Sequence, residues 1–132
     1  MFISPYVASP NAVARRLLTL AELKPGEVLY DLGAGEGGPI IIAAQEFGAR
    51  AIGIELREDL TKQALTQISR LGLEGRLKII HDDMFKVDLR PADVVYMYLT
   101  TSANEKVRPK LELELKRGAR VVSHDYEIVG WK

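Results

Sequence analysis

Short apolar runs alternate with longer segments of helical periodicity along the chain. The runs predict buried strands, and segments with apolar residues three and four positions apart predict amphipathic helices. The predicted strands cover residues 27–32, 51–55, 77–80, 92–99 and 120–124, and the predicted helices cover residues 10–23, 39–47, 57–71 and 104–116. Helices that alternate with strands indicate an α/β fold, in which helices cover both faces of a parallel sheet.

A cluster of glycines follows the first predicted strand. Four glycines lie within residues 33–38, and Pro39 then opens a helical segment. Glycine permits sharp turns and lets a ligand approach the backbone closely, and proline is favoured in the first turn of a helix. A strand, a glycine-rich turn and a helix are typical of the nucleotide-binding start of an open α/β sheet.

Two kinds of cofactor compete for this turn. Gly33, Gly35 and Gly38 satisfy the dinucleotide fingerprint G-x-G-x-x-G. Glu55 also stands at about the spacing of the acid that binds a ribose. Asp31, however, would repel the pyrophosphate that such sites place against the helix N-terminus. S-adenosylmethionine (SAM) carries an ammonium group and a sulfonium but no phosphate, so the turn favours SAM over NAD.

Acidic residues recur at the ends of successive predicted strands. Asp31 closes the first strand, Glu55 closes the second, and Asp83 follows the third. Ligands of such sheets bind beyond the carboxyl ends of the strands. Asp31 and the glycine backbone suit the amino-acid end of SAM, Glu55 suits the ribose hydroxyls, and Asp83 suits the adenine amine, with Met84 against the ring. One such acid alone would equally suit a helix cap or a solvated loop.

Composition predicts a single domain and excludes several classes of function. The chain has 132 residues, 47% of them hydrophobic, which is expected to give one domain with one core. It contains no cysteine, which excludes disulfides and thiolate metal sites, and no spaced set of His, Asp and Glu suggests a metal. Lys and Arg balance Asp and Glu at 18 each, whereas nucleic-acid binding normally needs a basic surface.

No targeting or membrane-spanning segment is recognisable. The apolar runs are too short to cross a bilayer. Residues 1–5 (MFISP) lack the basic and apolar regions of a signal peptide. We therefore predict a cytoplasmic protein that has neither membrane nor nucleic acid as its expected partner.

Residues 98–104 follow the fourth predicted strand, where a methyl acceptor would enter. Methyl transfer from a sulfonium is an in-line displacement, so positioning supplies much of the acceleration and no separate acid and base are required. A lysine acceptor must lose its proton, and an apolar channel and the sulfonium charge both lower the pKa of an amine. Methyltransferases of base amino groups or glutamine amides usually carry N-P-P-Y or D-P-P-Y here, and this chain does not.

Other polar residues have simpler explanations. Thr101, Ser102 or Asn104 suits the cap of the following helix. His81 and His124 are candidate bases, but neither has an identifiable partner, which favours structural or solvent-facing roles. The sequence therefore leaves the catalytic residues unassigned and favours a mechanism of positioning.

These motifs together resemble class I, seven-strand SAM-dependent methyltransferases. The resemblance rests on residues 31–37 (DLGAGEG), 53–55 (GIE) and 92–99 (ADVVYMYL), and on Asp83. More narrowly, the chain is similar to small archaeal protein-lysine methyltransferases of broad specificity and to their mitochondrial relatives, which methylate the c-subunit of ATP synthase. That narrower match rests on Pro5-Tyr6-Val7 with Ser9-Pro10, Tyr98-Leu99-Thr100 running into Lys110-Leu111, and residues 118–124 reaching Gly130-Trp131.

The resemblance implies a Rossmann-like doubly wound sheet in strand order 3-2-1-4-5. It also implies SAM as cofactor, transfer of one to three methyl groups to exposed lysines of proteins, and Tyr6 as a lid residue near SAM. Residues 1–10 suit a lid over the cofactor site or a frayed terminus about equally. The residues expected to contact the cofactor are Tyr6, Asp31, Gly33, Ala34, Gly35, Glu55, Leu56, Asp83, Met84 and Tyr98. Candidates for the acceptor mouth are Tyr6, Tyr98, Thr100, Asn104 and Trp131, of which Trp131 equally suits core packing.

The chain departs from the family pattern at two places. The family usually has an acid, a glycine and an arginine after the second glycine, whereas residues 36–39 read EGGP. The chain ends at Lys132, whereas the family continues into a final antiparallel pair, β6–β7. Either the chain is truncated or a partner covers the exposed sheet edge, which is otherwise an aggregation liability. A homodimer through that edge is one hypothesis.

Three alternatives to lysine methylation stay open. A SAM-dependent methyltransferase of a small molecule or RNA differs only in its acceptor. A NAD-binding oxidoreductase domain would normally need a second domain for its substrate. A non-catalytic SAM-binding module would bind SAM without turning it over.

Overall fold

The computed structural model describes residues 10–123. The elements are α1 Pro10–Leu20, β1 Val28–Leu32, α2 Gly38–Phe47, β2 Arg50–Glu55, α3 Glu58–Arg70, β3 Leu77–His81, a short 3-10 helix Met84–Lys86, β4 Val94–Met97, α4 Thr101–Glu114 and β5 Arg120–Ser123. The predictions for Tyr6, His124 and Trp131, for a lid and for strands after β5 lie outside the described residues. No helix of residues 10–123 is long and apolar enough to cross a membrane.

The five strands form one parallel sheet in the order β3-β2-β1-β4-β5. This confirms the predicted α/β class and strand order. β1 lies at the centre, between β2 and β4, so the glycine turn that follows it opens at the middle of the carboxyl edge of the sheet. That position is where an open sheet of this order binds ligands.

Two apolar clusters cover opposite faces of the sheet. Leu29 of β1 packs with α1, α2 and Ile68 of α3, whereas the adjacent Tyr30 packs with Val107 and Leu111 of α4. Successive side chains of a strand point to opposite faces, so both faces of β1 are buried. The continuous apolar runs of the sequence reflect this two-sided burial.

Helices α1 and α4 differ from their predicted bounds. α1 ends at Leu20 rather than Leu23, because Glu22 adopts a left-handed backbone (φ 55). Leu23 is nevertheless buried, which extended the apolar pattern past the helix. α4 begins at Thr101 rather than residue 104, because the Thr100 hydroxyl accepts a hydrogen bond from the Ala103 N–H (3.1 Å).

Pro109 is the ninth of the 14 residues of α4, well past the first turn in which proline is favoured. The helix continues through it because Val107 and Leu111, on either side, are fully buried in the core. Tertiary packing therefore outweighs the missing N–H of proline.

Arg120 joins the start of β5 to the connection between α1 and β1. Its guanidinium contacts both carboxylate oxygens of Glu27 (2.6 and 3.1 Å). It also donates to the carbonyl oxygens of Ala21 (3.0 Å) and Glu22 (3.2 Å). The planar fork of arginine matches this arrangement and lysine does not.

We expect Arg120→Lys to lower the free energy of unfolding by about 1–3 kcal/mol, because charge-assisted hydrogen bonds are lost. Urea denaturation measures the effect. Arg90→Lys is the control, since Arg90 pairs with Asp88 at an exposed position and should change stability by less than about 0.5 kcal/mol. Equal effects of the two substitutions on the free energy of unfolding would contradict the role of Arg120 in joining β5 to the connection between α1 and β1.

Candidate functional site

A cavity of about 770 Å³ runs from the carboxyl end of β1 along α1 and α2 to the last turns of α2 and α3. Its lining includes five residues of the predicted cofactor site, Asp31, Gly33, Ala34, Gly35 and Tyr98, together with Tyr96 and Asn11. Asp31 pairs in register with Gly53 of β2 and Tyr96 of β4. Because residues in register share a face of the sheet, Asp31 and Tyr96 both point into the cavity from the sheet.

The turn after β1 is shaped by its glycines and fixed to β2. Gly33 (φ 85) and Gly35 (φ 58) have left-handed backbones that other residues rarely adopt. The N–H groups of Gly33 and Ala34 both donate to the Ile54 carbonyl oxygen, at 2.8 and 3.0 Å. The turn is therefore built before any ligand binds.

Glu55 supports this turn from the end of β2. One of its oxygens accepts from the Gly35 N–H (2.7 Å) and the other from the Arg57 N–H (3.0 Å). Its side chain is buried. A carboxylate oxygen can accept more than one hydrogen bond, so both oxygens keep acceptor capacity for ligand hydroxyls. This supporting role was not predicted, since sequence spacing gives no backbone contact.

Asp31 is a buried acid with one oxygen unpaired in the described chain. It is 1% exposed, and its Oδ2 has no hydrogen-bond partner among residues 10–123. Burial, and to a lesser extent the nearby Glu55 carboxylate, raise the pKa of Asp31 to about 8. A buried carboxyl in this state is stabilised by a cationic partner, so the site fits a ligand with an ammonium group.

Glu55 and the remaining predicted cofactor residues of the described chain lie outside the lining of this cavity. Asp83 caps the short 3-10 helix, with its Oδ1 accepting from the Phe85 N–H (2.9 Å). Met84 packs against the apolar cluster under α4, and Leu56 is 68% exposed. His81 lies in register with Glu55, and its ring nitrogen lies 3.0 Å from the Leu56 carbonyl oxygen. His81 therefore has a backbone partner that the sequence did not reveal.

The acceptor-mouth candidates in the described chain fall into two groups. Tyr98 is 53% exposed and lines the cavity, and Thr100 is exposed while it caps α4. Asn104 has no exposed surface, so in this structure it is not part of an open mouth. Because α4 starts three residues earlier than predicted, Asn104 lies inside the helix. Its side chain is on the same side of α4 as Val107 and Leu111, which face the sheet.

Tyr96 is a site residue that the sequence analysis missed. It is 2% exposed and forms one wall of the cavity. The signal was present in the alternation of β4, where Val94 and Tyr96 share one face. It became usable only once the register of β4 against Asp31 was known.

A model of the ANTKMT methyltransferase domain family matches residues 31–132. The chain is 45% identical to a protein-lysine N-methyltransferase of Saccharolobus islandicus, over 96% of this chain and 80% of the relative. It is 34% identical to the adenine nucleotide translocase lysine N-methyltransferase of Mus musculus, over 97% of this chain and 56% of the relative. The chain thus spans little more than half of that mouse relative.

A solved structure is also similar throughout. It is described as an RNA methyltransferase from Salinibacter ruber in complex with S-adenosyl-L-homocysteine. It is 40% identical, with a TM-score of 0.91, over 96% of this chain and 82% of that one. Lysine N-methyltransferases of the ATP synthase c-subunit match 96% of this chain at lower identity. The predicted resemblance to archaeal lysine methyltransferases and to these relatives is therefore confirmed.

Proposed function

Because this chain belongs to the ANTKMT methyltransferase domain family and is a SAM-dependent methyltransferase, we propose that it methylates the ε-amine of lysines in proteins. The observation that carries the acceptor is the 45% identity to a protein-lysine N-methyltransferase over 96% of the chain. Membership of this family also removes the NAD-dependent alternative.

We assign the cofactor to the carboxyl edge of β1, β2 and β3. Asp31 would bind the ammonium group, because it is a buried carboxyl whose Oδ2 has no hydrogen-bond partner among residues 10–123. The backbone of Gly33 and Gly35, beside Ala34, would contact the amino-acid end, and Glu55 would accept from the ribose hydroxyls. The other expected contacts are Leu56, Asp83, Met84 and Tyr98, and Tyr6 outside the described residues. When bound, SAM supplies a methyl group activated by a sulfonium.

The protein's part in the reaction is positioning and exclusion of water. Tyr98 and Thr100 lie where β4 runs into α4, beside the cavity that Asp31 lines. We propose that this segment, with Trp131 outside the described residues, forms the mouth for the lysine side chain. An apolar mouth lowers the pKa of the entering amine, and alignment of amine and methyl supplies much of the acceleration.

Labelling with methyl-labelled SAM in a lysate of the source organism tests the proposed acceptor. We expect label in the protein fraction above that of the lysate alone, and much less of this excess when Asp31→Asn replaces the wild-type chain. An equal excess with both chains would contradict the assigned cofactor site. SAM binding without label in any fraction would support a non-catalytic SAM-binding module instead.

RNA is the second candidate acceptor, because the similar Salinibacter ruber protein is described as an RNA methyltransferase. The even balance of 18 basic and 18 acidic residues gives less support to RNA, which usually requires a basic surface. Extraction of RNA from the same labelled lysate distinguishes RNA from protein as the methyl acceptor. Label in RNA that ribonuclease removes, with unlabelled protein, would favour the RNA acceptor.

The raised pKa of Asp31 predicts pH-dependent cofactor binding. Between pH 6 and 7.5, below the pKa of about 8, SAM affinity should rise by up to about tenfold per pH unit, because Asp31 must lose its proton to bind an ammonium. Titration calorimetry measures this slope, and Asp31→Asn should remove it. A slope that the substitution leaves unchanged would contradict the role of Asp31.

The raised pKa of Asp31 also makes the stability of the SAM-free protein depend on pH, and here higher pH is unfavourable. Folded Asp31 keeps a proton that the unfolded chain, with a pKa of 3.8, releases. The contribution of Asp31 to stability therefore declines as pH rises from about 4 to about 8.

A homodimer through the edge of β5 and a cytoplasmic location stay predictions. Within residues 10–123, β5 pairs with β4 and its other edge carries no strand. An unpaired edge is a template for association. Sedimentation at micromolar concentration tests the dimer, and a monomer there would contradict it.

A further inference from the structure

Asn104 combines complete burial with an unsatisfied amide. Its side chain is 0% exposed, and neither Oδ1 nor Nδ2 has a hydrogen-bond partner within residues 10–123. Among the described side chains, the other buried atom in this condition is Oδ2 of Asp31. Buried polar groups are normally paired, and an unpaired one destabilises the folded state. The exceptions in this protein are therefore an acid at the cofactor cavity and an amide near the acceptor segment.

The position of Asn104 links it to that segment. α4 starts directly after residues 98–100 and runs back along the sheet towards the start of β5. Asn104 lies in its first turn, on the same stripe as Val107 and Leu111, which pack in the apolar cluster with Leu32 and Met97. The amide is thus at the end of α4 nearest the carboxyl edge of the sheet, beyond the apolar part of the stripe.

We propose that Oδ1 of Asn104 accepts a hydrogen bond from the amine that is methylated. This inference rests on the proposed lysine methylation. A neutral amine that leaves water has two N–H groups to satisfy, while its lone pair must stay free for the methyl group. A carboxamide oxygen satisfies one N–H and carries no charge. A carboxylate at the same place would favour the ammonium form, which has no free lone pair.

Access requires a local movement at the start of α4. Because Asn104 has no exposed surface, the amine reaches its side chain only after such a movement. The segment just before the helix carries Tyr98, which is half-exposed, and Thr100, which is exposed.

Asn104→Leu, which is similar in size and cannot form hydrogen bonds, tests the proposal in the full chain. We expect the melting temperature without substrate to rise by about 3–10 °C, because an unsatisfied buried amide is removed. SAM affinity by calorimetry should stay within about twofold. With the most strongly labelled lysate protein as acceptor, kcat should fall by about 100-fold or more while KM changes by less than about fivefold.

Two further variants sharpen the test. Lys106→Gln, at an exposed position of the same helix and outside residues 98–104, is the control and should behave as wild type in all three measurements. Asn104→Asp should move the pH profile of kcat/KM to higher pH, because a carboxylate holds the acceptor as ammonium.

Several results would overturn the proposal. Wild-type kcat in Asn104→Leu would show that the amide does not contact the acceptor. Loss of SAM binding would assign it to the cofactor, and a lower melting temperature would show a structural partner. If the wild-type chain itself methylates no lysine, the proposed function fails and this inference fails with it. If the wild type does and Asn104→Leu matches it, this inference alone fails.

Discussion

Asp31→Asn is expected to weaken SAM binding by at least about 100-fold while making the free protein more stable. Removing one partner of a buried, hydrogen-bonded charge pair typically costs about 2–5 kcal/mol of binding free energy, and a factor of ten is about 1.4 kcal/mol. Without SAM, asparagine removes a buried carboxyl whose pKa is about 8. The free energy of unfolding at pH 7 should rise by about 2–4 kcal/mol.

Calorimetric titration measures the affinity for SAM, and thermal denaturation measures the stability of the SAM-free protein. Glu112→Gln is the control for the lost charge, because Glu112 lies on an exposed face of α4, paired with Arg108. It should change neither quantity appreciably. An Asp31→Asn chain that binds SAM like the wild type would show that this carboxylate does not contact the ammonium group.

Gly53→Ala is expected to displace the glycine turn and so to weaken SAM binding by at least about tenfold. A Cβ at Gly53 would lie 2.7 Å from the Cβ of Ala34, 3.0 Å from Ile79 Cδ1 and 3.3 Å from Ile40 Cδ1. The isoleucine ends can rotate away, but the Ala34 Cβ is fixed to the backbone of the turn. Overpacking of this kind costs about 1–3 kcal/mol of stability, so the melting temperature should also fall.

The chain offers matched controls for this prediction. An added Cβ at Gly75 would meet nothing within 4 Å, so Gly75→Ala should leave SAM affinity and stability nearly unchanged. Adding Ala34→Gly to Gly53→Ala removes the clashing methyl and should restore part of the affinity, which a double-mutant cycle measures. If the single substitution binds SAM normally, the turn is not held by the close packing of Ala34 on β2.

The sheet could be predicted from the sequence because the patterns that indicate its strands and turns involve residues close together in the chain. Apolar runs, the glycines after Leu32 and the acids at strand ends gave the α/β class, while the family resemblance gave the strand order. The start of α4 was misplaced because Thr100, Thr101, Ser102 and Asn104 are all good caps, and only the contact from Ala103 to Thr100 decides among them. Local propensity does not choose between adjacent residues of similar capping strength.

The chemistry of the site depended on contacts that the sequence does not encode locally. Asp31 and Glu55 were predicted as ligand-binding acids from their positions, but the support that Glu55 gives to the turn requires the register of β2 against β1. The burial of Asn104 likewise follows from the packing of α4 on the sheet. Tyr96 joins the cavity only through its pairing with Asp31. Each of these features arises from long-range packing.

The measurement that tests the central claim most directly is the chemical identity of the labelled product. Protein labelled by the purified wild-type chain with methyl-labelled SAM is hydrolysed in acid, and the amino acids are identified by mass spectrometry. We predict label in methylated lysine. Label confined to another amino acid, to alkali-labile methyl esters or to nucleosides would contradict the proposed function.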